Sequence, residues 1–94
     1  CGPANAGMLS YLYPGHTLAL DFAHTGNDLT RLISDLDQIL LQHGGRLYLA
    51  KDAMMSAATF SHMYPRLSEF QAVKARIDPQ NRFASSQARR LGIV

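Results

Sequence analysis

Lys51 and Tyr48 stand three residues apart in the run Arg46-Leu47-Tyr48-Leu49-Ala50-Lys51-Asp52, which follows the glycine pair Gly44-Gly45. An ammonium delivered at the end of a short apolar segment is costly to bury unless an anionic or polar group meets it. A fixed cation also serves best where negative charge develops. Two readings of Lys51 are open at this level. It is a solvated or salt-bridged lysine, with Asp52 or Asp21 as partner, or a cation aimed into a cleft at an electron-rich group. Tyr48 divides the same way, between a core ring whose hydroxyl is satisfied locally and a hydroxyl presented to a ligand. Upstream, Thr17-Leu18-Ala19-Leu20-Asp21-Phe22 alternates bulky apolar residues with small or polar ones. Its Thr17, Ala19 and Asp21 face suits either a ligand or solvent.

Other chemistries find less support. His16, His24, His43 and His62 lack the paired short spacing of a zinc site, and the single cysteine, Cys1, cannot complete one, so no metal site is predicted. No glycine-rich turn of phosphate-loop or dinucleotide spacing joins a strand to a helix, and no nucleophile elbow is present. Met54, Met55 and Met63 read as core filler. Arg82, Arg89 and Arg90 read as solvated residues near helix ends.

The elements that must position these residues fit one small domain of 94 residues, 47% hydrophobic and 17% charged. A net charge of +2 gives no case for nucleic acid. No apolar run is long enough to span a bilayer and no signal peptide is visible. Together these predict a cytoplasmic location or the periphery of the cytoplasmic membrane face. A lone cysteine excludes an intrachain disulfide. The chain opens on Cys1-Gly2-Pro3-Ala4-Asn5 without a methionine and is expected to be a fragment of a longer protein.

Residues 1–15 read as loop, with at most a short strand near Leu9 to Tyr13. Strands are predicted near 17–22 and 46–50. Leu29, Leu32, Ile33, Leu36, Ile39 and Leu40 form a stripe at helical spacing and predict a helix over 28–43, with Asn27 as N-cap and an Arg31–Asp35 pair. Ser56 caps a helix over 57–63. Pro65 opens another over 66–76, carrying Leu67, Phe70, Val73 and Ile77 inward, and Asp78-Pro79 closes it. A short C-terminal helix follows Ser85 and Ser86. The class is α+β: a small antiparallel or mixed sheet with flanking helices. Two or three strands cannot make a covered sheet alone, so their edges are expected to pair with further strands or a second copy.

Several runs together resemble the C-terminal region of FAD-linked oxidoreductases of the vanillyl-alcohol-oxidase superfamily. They are Gly44 to Asp52, Phe60, Met63-Tyr64-Pro65-Arg66-Leu67 through Phe70, Asp78-Pro79, Phe83-Ala84-Ser85 and Ala88-Arg89-Arg90-Leu91, with Gly2-Pro3-Ala4-Asn5 and Pro14-Gly15. The likeness is greatest to the decaprenylphosphoryl-ribose oxidase-like proteins and covers nearly the whole chain. It implies that residues 1–94 are one partial domain, the last part of the substrate domain of a larger flavoenzyme. The FAD-binding domain would lie N-terminal to it and be its partner. The implied chemistry is oxidation of a hydroxyl of a sugar or polyol-type substrate by hydride transfer to FAD. A polyprenyl-phosphate-linked sugar is the first candidate, and an aldonolactone or alditol the runner-up. By the same resemblance Lys51 lies near flavin and substrate as the catalytic cation, Tyr48 lies close by, and Thr17 and Ala19 line the substrate pocket. Thr17 and Ala19 stand where asparagine and cysteine are expected in the mycobacterial oxidases, and His16 replaces an expected tryptophan. The competing class is a stand-alone α+β ligand-binding or interaction module without redox activity. Either way, self-association of the fragment is expected.

Overall fold

A computed structural model describes residues 1–94. Helix α1 spans Asn27–Gln42 and starts from Gly26, at φ 84°, so Asn27 is its first residue and provides no side-chain cap. Its inner stripe buries Leu29 (8% exposed) and half-buries Ile33, Leu36 and Leu40, whereas Leu32 and Ile39 face solvent. Asp37 lies on the same inner stripe and is only 6% exposed. The helix ends through Gly44 at φ +68°, where an L side chain would be strained. The Gly45 N–H then donates to the Leu40 carbonyl at 2.7 Å. A Cβ at Gly45 would come within 2.7 Å of a Leu40 methyl and 3.2 Å of the Leu40 carbonyl oxygen, so a larger residue there requires the Leu40 side chain to move.

Helix α2 covers Ala57–Met63, capped by Ser56, whose hydroxyl accepts from the Thr59 N–H at 3.1 Å. Tyr64 and Pro65 turn the chain into α3, Leu67–Ile77. There Asp78-Pro79 stops it, because the residue before a proline avoids helical geometry. The Asp78 carboxylate takes the Lys74 ammonium and accepts from the Arg82 and Phe83 N–H groups at 2.9 and 3.0 Å. Lys74 first, then the two amides, hold its pKa down at about 2. The short helix α4, Ser86–Arg90, is capped by Ser85 accepting from the Ala88 N–H. Phe60, Met63, Tyr64 and Leu67 from the α2–α3 corner meet Met55 and Leu91 in one core, with Leu9, Leu40, Leu41, Leu47, Leu49 and Ile93 packed around it.

The expected α+β class is overturned: the chain is helical and contains no strand. At 46–50 the sequence alternates correctly, with Leu47 and Leu49 turned inward and Tyr48 and Ala50 outward. No second strand lies beside it, so side chains take its carbonyls: the Tyr64 hydroxyl donates to Leu47 O and the Gln87 amide to Leu49 O, both at 2.6 Å. The chain then tightens into a 3-10 turn, Leu49–Lys51, as the Lys51 N–H donates to Tyr48 O at 3.1 Å. Residues 17–22 form no regular structure, because alternation makes a strand only where a partner completes the ladder. Leu18, Leu20 and Phe22 remain 81%, 54% and 44% exposed. Two smaller expectations also fail. Arg31 and Asp35 form no ion pair. On α3, Val73 and Ile77 face solvent while Lys74 turns toward Asp78. No helix is long and apolar enough to cross a membrane.

Candidate functional site

Lys51 sits at the end of the 3-10 turn with its side chain in solvent. It enters none of the chain's ion pairs. Its neighbour Asp52, the partner that local charge suggests for it, is engaged elsewhere. The Asp52 side chain is 4% exposed and meets Arg90 of α4, Nη2 to Oδ2, at 2.6 Å. Its other oxygen accepts from the Met54 and Met55 N–H groups at 3.2 and 2.9 Å. Burial alone would raise the Asp52 pKa, but the Arg90 guanidinium and the two amides outweigh it and hold the carboxyl below its usual range. Arg90 Nη1 also donates to Met55 O. The residue after Lys51 is thus fastened by Arg90 and two amides, and the exposed Lys51 ammonium is left without an ion-pair partner.

Tyr48 is 52% exposed, and its ring lies 5.4 Å from that of Tyr11. Nothing in the chain takes its hydroxyl. At the head of the stretch, Arg46 is fixed by a bond from Nη1 to Ser10 O at 2.9 Å. Its guanidinium lies 4.7 Å from the Tyr13 ring centre and 5.5 Å from that of Tyr64. Tyr48 and Lys51 therefore bracket one 3-10 turn, both exposed, and the chain gives neither the hydroxyl nor the ammonium a partner. Such a pair can hold or polarise an oxygen, and can offset negative charge developing beside it. Thr17 and Ala19 are exposed within the irregular segment, and this chain makes no hydrogen bond between them and the Lys51 turn.

Residues 17–91 match the family described as D-arabinono-1,4-lactone oxidase. The chain belongs to that family. Among curated proteins it is 41% identical over 93 residues to the "Decaprenylphosphoryl-beta-D-ribose oxidase" of Mycolicibacterium smegmatis (strain ATCC 700084 / mc(2)155), covering 99% of this chain and 20% of that protein. It is 36% identical over 92 residues to the "Uncharacterized protein in mprA 5'region" of Streptomyces coelicolor, covering 98% of this chain and 25% of that one. The chain thus spans a fifth to a quarter of the length of these relatives. The family match over residues 17–91 places the chain in an oxidase lineage, in agreement with the resemblance read from Gly44–Asp52 and the later runs.

For this member of the D-arabinono-1,4-lactone oxidase family, sequence reading missed two charged groups that meet Asp52, the residue after Lys51. Asp37, on α1, carries a carboxyl that burial, and then the charge of Asp52, push above its usual pKa. No hydrogen bond reaches it from the chain. Its position between Leu36 and Leu40 on the apolar stripe is the one sequence signal that could have found it. Arg90 read as a solvated helix-end cation, and nothing local ties it to a residue 38 positions away.

Proposed function

We propose that this chain supplies the substrate-side wall of an FAD-dependent oxidoreductase acting on a hydroxyl of a sugar or polyol-type substrate. The observation that carries the reading is Lys51: an exposed, unpaired ammonium at the end of a 3-10 turn that Tyr48 caps and that is followed by the Asp52–Arg90 pair. Family membership and the oxidase name of the 41%-identical relative support it. A flavin fits this donor set, since an uncompensated cation is suited to a ring system that gains negative charge. Bound FAD would accept the hydride from the substrate carbon. Lys51 would offset the charge that develops there or orient the reacting oxygen, and Tyr48 would hold that oxygen by a hydrogen bond. Thr17 and Ala19 would line the far side of the substrate pocket once the rest of the protein fixes their segment.

The partner in this reading is an FAD-binding domain of the same protein. The substrate would be a polyprenyl-phosphate-linked sugar, by analogy with the mycobacterial relative, with an aldonolactone as the runner-up, by analogy with the D-arabinono-1,4-lactone oxidases. Exposed Leu18, Leu20 and Phe22 would meet that partner, and in its absence would drive self-association of the isolated chain.

The test is Lys51→Ala in the full-length protein. Flavin reduction by substrate should slow by about a hundredfold or more, the scale of losing one charge-stabilising group. A reduction rate equal to that of the parent would reject the role of Lys51.

A further inference from the structure

Arg46 and Arg66 both line a cavity of about 160 Å³ under the N-terminal loop, together with Asn5, Ser10, Tyr13 and Pro65. The two guanidinium groups differ in how they are satisfied. Arg66 meets the Glu69 carboxylate through Nε and Nη2 and donates from Nη1 to Ala6 O, so its charge is locally answered. Arg46 has no carboxylate partner and gives one hydrogen bond, to Ser10 O. A guanidinium carries five N–H donors in a planar fork. Four of the Arg46 donors are therefore unclaimed, on a side chain fixed between the Tyr13 and Tyr64 rings. A preorganised fork with spare donors is the arrangement that tetrahedral oxyanions favour, and little side-chain entropy is left to lose on binding. The volume is several times the ~30 Å³ that one water occupies in the liquid.

We propose that this cavity is an oxyanion site with Arg46 as its cation, fitted to a phosphate group. The phosphate belongs either to a phosphorylated ligand or to the pyrophosphate of a dinucleotide. The site does not depend on the role of Lys51. It lies at the other end of the stretch and is read out without turnover.

The experiment titrates inorganic phosphate into the full-length protein at constant ionic strength, with and without FAD, and follows binding by calorimetry and ³¹P NMR. Arg46→Lys keeps the charge but loses the fork, and should weaken phosphate binding about tenfold. Glu69→Gln leaves Arg46 untouched and frees Arg66, so it should tighten binding about threefold. Glycerol 1-phosphate competing equally with and without FAD supports the site with a phosphorylated ligand as its occupant. Phosphate binding only in the FAD-free protein supports it with the dinucleotide as occupant. Binding that is absent, or unchanged in both Arg46→Lys and Glu69→Gln, overturns the proposal.

Discussion

Arg90 reaches from α4 to Asp52, its Nη2 lying 2.6 Å from an oxygen of a carboxylate that is 4% exposed. The pair closes the chain's last helix onto the turn that carries Lys51, and a second bond from Arg90 to Met55 O fastens the same corner. The corner is rigid because both partners are used up, and this is also why Lys51 is not.

Removing one partner leaves the other charge partly desolvated. Arg90→Ala should lower the stability of the protein by about 2 kcal/mol. That is below the ~3–5 kcal/mol of a fully buried pair, because a third of the Arg90 side chain stays in water. The folded Asp52 carboxyl titrates below its unfolded value of 3.8, so its contribution is present above that pH and fades as pH falls through the folded pKa. Urea melts at pH 7 and at pH 3 check both: the Arg90→Ala deficit should shrink at the lower pH.

Asp37 carries the opposite sign. Its folded pKa is raised, first by burial and then by Asp52, so the neutral form is favoured in the folded chain. Stability is retained below the unfolded pKa of 3.8 and declines as pH rises through the folded value. Asp37→Asn, which cannot charge, should therefore be more stable than the parent at pH 7 and equal to it below pH 3.8. A variant less stable than the parent at pH 7 and equal to it below pH 3.8 would mean that the Asp37 carboxylate is held by a partner.

Tyr64 is 1% exposed, and its hydroxyl is the donor that satisfies Leu47 O. Tyr64→Phe should cost about 1 kcal/mol by orphaning that carbonyl. Burial pushes the Tyr64 pKa up to about 12 from 10.0, so the unfolded chain loses its proton first. The parent should then lose stability as pH rises from 10.0 towards 12, a loss that Tyr64→Phe does not share. Thermal melts between pH 9 and 12 read the difference directly.

Lys51 and Tyr48 should behave as residues kept for chemistry rather than for the fold. Neither the Lys51 ammonium nor the Tyr48 hydroxyl has a partner in the chain, and phenylalanine keeps the Tyr48 ring beside Tyr11, so Lys51→Ala and Tyr48→Phe should each stay within about 0.5 kcal/mol of the parent in denaturant melts. A loss of 2 kcal/mol in Lys51→Ala would give the ammonium a structural partner and weaken its assignment to the site.

What the sequence determined by itself is local. The stripe from Leu29 to Leu40, the Ser56 and Ser85 caps and the stops at Gly44 and Asp78-Pro79 each depend on residues within a few positions, and all were legible. Lys51 and Tyr48 were legible as candidates because their types and spacing are also local. The tertiary structure alone decided the rest, because it rests on pairings between distant residues. Arg90 claims Asp52 from 38 positions away, and Tyr64 and Gln87 cap the carbonyls of Leu47 and Leu49 from 17 and 38 positions away. The two expected strands failed for the same reason. Alternation in Thr17–Phe22 and Arg46–Ala50 states which side of a strand would be apolar, but a strand exists only where another backbone completes its hydrogen bonds, and this chain brings none to either segment.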